Sequence, residues 1–279
     1  MLRSLVILLT SIMGCIALVA QSVRTVCSPD KNLKVEITLA DGITYSVYNG
    51  TELVLDACRL SLDVNGKVLG SSPKLKQATE RSVCEMKRPF LHYKYAEVPN
   101  EYNELKLQMK EGYAVTFRVF NDGIAYRFET ALKGTIQVNH EDITVYFPHD
   151  TQLVLQQSDR YRTSYEERYA FTKVADWHSY QKMAHYPILA TTPAVTNILM
   201  SEADLIDYPA VFFRSNDADG VSSVFPRVPA VEKPRSDKST DVLLRERYIA
   251  KTSGTRTFPW RYFVITSKDA GLIENTMTC

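Results

Sequence analysis

The stretch that decides the fold is LKLQMKEGYAVTFRVFNDGIAYRF, residues 105–128, in which apolar and polar side chains alternate along three successive segments. A period of two places every second side chain on the same face of a β-strand. The segments are separated by Glu111-Gly112 and by Asn121-Asp122-Gly123, and glycine supplies the backbone conformation that tight turns require. We therefore predict two consecutive β-hairpins, the second with a three-residue connection and a bulge at its glycine.

Outward from this stretch, strands dominate and helix signals are sparse. Residues 201–204, Ser-Glu-Ala-Asp, are predicted to cap one short helical turn that ends before Pro209. Residues 226–238 contain three prolines and several basic side chains, which predicts an irregular, solvated basic loop. The fold class is therefore all-β, in one or two closely joined units. Further alternating segments occur at residues 33–39, 43–47, 60–64 and 242–244.

Residues 1–22 have the layout of a secretory signal peptide, with Arg3 ahead of an apolar stretch and no acidic side chain. Cleavage after Ser22 is favoured over cleavage at the end of the apolar stretch. Leu5–Ala20 has 16 residues, fewer than the ~20 that comfortably cross a bilayer, so a membrane anchor is the weaker alternative. Lipidation at Cys15 is a minor one. We predict an exported protein, periplasmic or secreted, with no stable membrane span.

The mature chain is electrically balanced. Removing residues 1–22 takes Arg3 from the 33 basic residues and none of the 32 acidic ones, which leaves 32 of each. Nucleic-acid binding usually requires a basic face, so no nucleic-acid partner is expected. The remaining 257 of 279 residues are enough for one large β domain.

Four cysteines remain after Cys15 is removed with the signal peptide. Their spacing does not match a zinc site, because C-x-x-C pairs and paired histidines are missing. An oxidising compartment permits a disulfide, but no pairing follows from the sequence. The four are Cys27, Cys58, Cys84 and Cys279.

No catalytic constellation stands out. The chain has no G-x-S-x-G elbow, no phosphate-binding loop, no G-x-G-x-x-G after a strand and no H-E-x-x-H. Glu166 and Glu167 are neighbours whose side chains face opposite sides of an extended chain, so they cannot form a catalytic pair by themselves. Trp177 and Trp260 offer flat faces for sugar stacking, although aromatic residues also favour strands for packing. The densest acidic cluster surrounds Glu202.

Six short sequence segments follow one another in a characteristic order and spacing. They are Ser28-Pro29-Asp30, Tyr102-Asn103-Glu104-Leu105, residues 117–128, Ser164-Tyr165-Glu166-Glu167, residues 200–209 and Pro259-Trp260-Arg261. The ordered set resembles the amino-terminal domain of glycoside hydrolase family 97 over nearly all of residues 23–279. The sequence departs from that family at Ala210 and Val211, where glycine and methionine are usual, and at Pro99-Asn100-Glu101, where a basic residue is expected.

The resemblance implies a large antiparallel β-sandwich, a super-sandwich of the galactose-mutarotase-like kind, over residues 23–279. It also implies a following (β/α)₈ barrel that carries the catalytic groups and is absent from this chain. Members of the family cleave α-linked glucosides or galactosides with calcium in the active site. By the match of its motif, Glu202 is the expected metal ligand, shared with the barrel, while Asp204 and Asp207 are expected to be local capping or turn residues.

The expected function is that of the amino-terminal, carbohydrate-binding or supporting domain of a calcium-dependent α-glycoside hydrolase, with α-linked oligosaccharides and the missing barrel as partners. This chain is expected to be inactive alone. A free-standing carbohydrate-binding or scaffold protein is the alternative. A mutarotase-type epimerase is a weaker one, because it rests on fold analogy alone.

Overall fold

The structure is a computed structural model that describes residues 22–91 and 94–277. The predicted signal peptide lies outside the described residues, except for Ser22, which begins the first strand. Cys279 also lies outside them. Across the two described ranges, no helix has both the length and the apolar composition needed to span a bilayer.

Strands make up the amino-terminal half of the described chain. They alternate inward apolar with outward polar side chains, as in Leu33–Leu39, because one face packs in the core and the other meets solvent. In chain order they are β1 (Ser22–Cys27), β2 (Leu33–Leu39), β3 (Ile43–Asn49), β4 (Glu52–Val64), β5 (Lys67–Leu69), β6 (Leu75–Lys87), β7 (Val98–Met109), β8 (Tyr113–Phe120) and β9 (Gly123–Tyr146).

The carboxy-terminal half adds ten shorter strands, one 3₁₀ turn at Val174–Asp176 and one short helix. The strands are β10 (Gln152–Ser158), β11 (Tyr169–Lys173), β12 (Met183–Thr191), β13 (Asn197–Ala203), β14 (Phe212–Ser215), β15 (Gly220–Val224), β16 (Pro229–Ser236), β17 (Ser239–Arg245), β18 (Ala250–Thr257) and β19 (Trp260–Thr266). The helix is α1 (Asp269–Glu274).

Strand β9, with 24 residues, joins the two layers of the molecule. Its first part pairs with β8 on one side and with β19 and β18 on the other. Its last part pairs with β4 and β15. One layer runs from β6 through β9 and β19 to β13, β12, β10 and β11, and the other runs from β1 through β4 and β9 to β15 and β14. All these pairs are antiparallel, so the predicted large antiparallel β-sandwich is confirmed.

Four aromatic rings at the centre of the sandwich connect the layers. Tyr45 of β3 faces Phe117 of β8 at 5.6 Å between ring centroids, and it faces Tyr126 of β9 at 5.4 Å. Phe263 of β19 completes the group at 6.5 Å from Tyr45. All four are at most 1% exposed. The inward positions predicted for residues 105–128 therefore supply the core.

Both predicted hairpins are present, but the second is tighter than expected. Phe120 pairs with Gly123, so the connection has two residues rather than three and the predicted bulge is wrong. Gly123 does not adopt a positive φ. It pairs instead with Val264 of β19, and a Cβ at this position would lie 3.1 Å from the Val264 Cα while also colliding with the Phe263 carbonyl oxygen. This glycine is required by the close approach of β19.

Two local predictions are wrong. Residues 201–204 do not start a helical turn, because β13 continues to Ala203 in register with β19. Residues 226–238 are not wholly irregular, since Pro229–Ser236 forms a two-stranded ribbon with Ser239–Arg245. The expected solvation of this basic segment is confirmed, because every residue of β16 is exposed.

Candidate functional site

Glu202 lies near the end of β13, directly opposite Arg261 of β19. Its side chain is only 10% exposed, so the carboxylate stands at the edge of the interior. The chain then leaves the sheet through Asp204 and Asp207, which have φ values of 58° and 52°. The left-handed region tolerates Asp better than most residues, which agrees with the turn role expected for both.

Arg261 is completely buried and connects two carboxylates. Its Nε and Nη2 atoms donate to the two oxygens of Glu141 at 3.0 and 2.7 Å, and its Nη1 donates to Glu202 Oε2. Glu141 lies on β9 and is 1% exposed. Although burial opposes the charge, the two carboxylates keep the pKa of Arg261 above its ordinary value. We call Glu141, Arg261 and Glu202 the buried triad.

The buried triad has two potential negative charges and one positive charge. Burial, together with the nearby Glu141 carboxylate, raises the pKa of Glu202, while Arg261 and the Val211 N–H oppose this shift. A buried carboxylate with incomplete compensation has a reason to gain either a proton or another positive partner. The raised pKa of Glu202 therefore reflects incomplete compensation of its charge inside the protein.

Two tyrosines lie near the buried triad, since Tyr126 and Tyr186 both interact electrostatically with Glu141 and Arg261. Their hydroxyls are buried and have no hydrogen-bond partner within the described part of the chain. Burial raises the pKa of each well above its ordinary value. Buried hydroxyls normally have a partner, often an ordered water. The interior beside Glu202 is thus polar rather than hydrocarbon-like.

A group of aromatic rings lies near Glu202 through Tyr165, whose hydroxyl interacts electrostatically with the Glu202 carboxylate. The Val211 N–H lies near enough to Glu202 to lower its pKa, and the next residue, Phe212, begins β14. Tyr161 meets the Phe212 ring edge-on at 5.2 Å between centroids. Tyr165 lies edge-on to His185 at 4.6 Å and within 6.3 Å of Phe212. We call Tyr161, Tyr165, His185 and Phe212 the aromatic rim.

A calcium site needs about six to eight oxygen ligands. Across residues 22–91 and 94–277, no group of three or more His, Cys, Asp or Glu side chains is arranged to hold a metal ion. Glu202 has one oxygen on Arg261 and is well placed to offer a single carboxylate. The residues present therefore fit one ligand of a shared site and not a complete calcium site.

The two tryptophans and the cysteines singled out in the sequence make contacts within the protein or carry free thiols. Trp177 is 1% exposed and belongs to the core. The Trp260 ring lies 4.4 Å from the Arg118 guanidinium and 4.3 Å from that of Arg127. Trp177 is therefore not accessible to a sugar, and Trp260 interacts with two arginines of the protein itself. Within the described residues, Cys27, Cys58 and Cys84 are free thiols.

The outer face of β7 and β8 carries a cluster centred on Glu104. This carboxylate accepts bonds from Arg81 at 2.6 and 3.0 Å and from Arg118 at 2.8 Å. Although burial alone would raise it, these bonds hold the pKa of Glu104 below its ordinary value of 4.5. A lowered carboxyl pKa stabilises the fold above about pH 4.5, and this contribution is lost as the pH falls through the folded-state pKa.

We therefore expect Glu104→Gln to lower the free energy of unfolding by about 1–2 kcal/mol at pH 7 and by clearly less near pH 3. Urea unfolding at both pH values measures the difference. Glu80→Gln, at an exposed position of β6, is the matched control and should change little at either pH. An equal effect of Glu104→Gln at both pH values would contradict the prediction.

Sequence reasoning did not identify Glu141 and Arg261 as site residues. The sequence contained one local indication for Arg261: it lies two and four residues before Phe263 and Ile265 in β19, so all three side chains point to the buried face. An arginine at an inward strand position requires a buried acidic partner. Glu141 lies 120 residues earlier in the chain, so no local pattern links the two.

Comparison with known proteins identifies the family of this chain. The model of the family described as "Glycosyl-hydrolase 97 N-terminal" matches residues 26–279. A retaining α-galactosidase of Bacteroides thetaiotaomicron is 30% identical over 290 residues, which cover 99% of this chain and 44% of that enzyme. The chain thus spans less than half the length of this relative.

Solved structures show the same fold. A glycoside hydrolase family 97 enzyme of Pseudoalteromonas sp. strain K8, in complex with acarbose, superimposes with a TM-score of 0.77 at 19% identity over 91% of this chain and 37% of that one. A β-arabinopyranosidase superimposes with a TM-score of 0.71 at 19% identity over 88% of this chain and 40% of that one. Because the family model covers almost the whole described chain, this protein belongs to the glycosyl-hydrolase 97 N-terminal family.

Proposed function

We propose that this chain serves as the amino-terminal, carbohydrate-binding and supporting domain of a calcium-dependent α-glycoside hydrolase acting on α-galactosides or α-glucosides. The observation that carries the proposal is the match to the amino-terminal family over residues 26–279. The α-galactosidase relative, of which the chain covers 44%, supports an α-linked substrate. The similarity supports a position at the amino-terminal end of such an enzyme, and the proposal assigns the catalytic groups to the remainder.

The buried triad does not have the geometry of a glycoside-cleaving site. Glycoside cleavage requires two carboxyl groups about 5–10 Å apart on either side of the scissile bond. Glu141 and Glu202 are both carboxylates, but Arg261 lies between them and Glu141 is only 1% exposed. A sugar cannot reach Glu141 without disrupting the core. Catalysis by this chain alone is therefore not expected.

Glu202 is proposed as one calcium ligand, completed by oxygen ligands from the rest of the enzyme. Calcium prefers carboxylate oxygens, and a shared ion would hold the two parts of the enzyme together. The incomplete charge compensation of the buried triad supports this role, since a divalent cation would balance its excess negative charge.

Export to the periplasm or the medium, directed by residues 1–22, is part of the same proposal.

The first test is hydrolysis of aryl α-galactosides and α-glucosides by purified residues 23–279. We expect turnover no higher than that of the Glu202→Gln variant, because two accessible carboxyl groups are lacking. Cleavage well above the Glu202→Gln control would contradict the proposal of a supporting domain. A far-ultraviolet circular dichroism spectrum typical of a folded β protein, recorded for both proteins, excludes misfolding as the cause of inactivity.

The second part of the test replaces the matching front of the Bacteroides α-galactosidase with residues 23–279. Isothermal titration of this chimera with calcium should show binding that Glu202→Gln weakens at least about tenfold, because a charged ligand is lost. Glu167→Gln, in the exposed segment before β11, is the matched control and should leave calcium affinity unchanged. Equal calcium affinity of both variants would remove Glu202 from the metal site.

The alternative function is a free-standing carbohydrate-binding protein. The exposed part of the aromatic rim favours it, because an accessible ring beside a carboxylate suits sugar binding. An oligosaccharide affinity that is unchanged by calcium, together with an inactive chimera, would favour this alternative.

A further inference from the structure

Tyr165 combines an unusual backbone conformation with an exposed ring. Its φ is 60°, a conformation that is rare for a bulky residue other than glycine. Such strain is retained only where the surroundings hold it, and it concentrates at functional sites. The ring is nevertheless 47% exposed, so core packing alone does not explain why the chain accepts this conformation.

The contacts of Tyr165 fix the direction of its ring. It stands edge-on to His185 at 4.6 Å between centroids, with an angle of 71° between the ring planes. His185 is 1% exposed, and its Nε2 has no partner among the described residues. Because Tyr165 is 47% exposed, part of its ring surface remains open to solvent beside this buried support.

The same ring borders the Glu202 site. Phe212, whose ring centroid lies 6.3 Å from that of Tyr165, follows Val211, the residue whose N–H helps to lower the pKa of Glu202. Burial and the nearby Glu202 carboxylate both raise the pKa of the Tyr165 hydroxyl. An apolar face and a carboxylate thus lie side by side, as sugar recognition requires, since a pyranose has an apolar face and polar edges.

We propose that Tyr165 is a sugar-stacking platform that holds one pyranose ring of an α-linked oligosaccharide at the mouth of the Glu202 site. The inference rests on the proposed function and adds the residue that contacts the ligand. The aromatic ring supplies the affinity, and the hydroxyl is of secondary importance. Tyr169 on edge strand β11 is 56% exposed and provides the comparison.

The experiment is an NMR titration of residues 23–279 with maltotriose and, separately, with the α-galactoside melibiose. We expect saturable shifts around Tyr165, Glu202 and Phe212 with at least one sugar. Tyr165→Ala should weaken that affinity at least about tenfold, or 1.4 kcal/mol, whereas Tyr165→Phe should stay within about twofold because stacking survives. Tyr169→Ala is the matched control and should bind as the wild type does.

Unchanged affinity of Tyr165→Ala, or shifts centred on another surface, would overturn the inference and leave the proposed function standing. Absence of saturation by either sugar with the folded wild-type chain would also overturn it. The calcium titration of the chimera then decides independently whether the proposed function survives. Urea unfolding of Tyr165→Ala and Tyr169→Ala verifies that both variants remain folded.

Discussion

Replacing Arg261 by methionine is expected to lower the free energy of unfolding by about 3–5 kcal/mol, because it leaves two buried carboxylates without their shared counter-charge. Arg261 is fully buried and donates to both Glu141 and Glu202. Methionine keeps much of the volume, so the loss reports the charge rather than a cavity. Equilibrium unfolding in urea at pH 7 measures it.

The control for this prediction is Arg59→Met on β4, where the arginine is exposed. That variant should change stability by no more than about 0.5 kcal/mol. Adding Glu141→Gln to Arg261→Met should restore part of the loss, because one unpaired charge is removed and the two sites are coupled. An Arg261→Met variant within about 1 kcal/mol of the wild type would show that the buried triad contributes little to stability.

Phe117→Ala is expected to cost about 3–5 kcal/mol, the range for truncating a large buried aromatic side chain. Phe117 has no exposed surface, and its ring contacts Tyr45 and Tyr126 at 5.6 Å between centroids. Its removal leaves a cavity between the two layers. Tyr45 and Tyr126 also lose their ring contacts with Phe117, which adds to the free-energy cost of removing the buried side chain.

Phe171→Ala is the matched control, because this phenylalanine on β11 is 79% exposed. It should change the unfolding free energy by about 0.5 kcal/mol or less. If the dependence of the unfolding free energy on urea concentration is the same for both variants, their unfolding midpoints give the difference in stability directly. If both substitutions had the same small effect, the centre of the sandwich would be wrongly placed.

The alternation of apolar and polar side chains within each strand could be recognised from the sequence because it is a local property. Residues 33–39, 43–47 and 105–128 show a period of two; the first two segments lie in β2 and β3, and the third spans parts of β7, β8 and β9, with their apolar side chains largely buried. Both hairpins follow from the same local signals. The exposed ribbon of β16 and β17 shows the limit of this signal, since Leu243 and Leu244 are 63% and 59% exposed in an apparently regular strand.

Glu202 was singled out by the similarity of its motif to a known family, and its role as a calcium ligand stays a prediction. Its local environment was predicted wrongly as a helical turn, because Ser-Glu-Ala-Asp matches the signals of a helix start. Pairing with β19 overrides that signal and keeps residues 197–203 extended. The cross-strand partner, and not the local sequence, decides the conformation here.

By itself, the sequence determined the all-β class, most strand positions and the family to which the chain belongs. Only the tertiary structure decided that Arg261 connects Glu141 and Glu202, and that Tyr165 borders this site on the support of His185. The physical reason is range. Alternation and turn chemistry act between neighbouring residues, whereas the buried triad joins residues 59 and 120 positions apart through strand register that is fixed when the two layers pack.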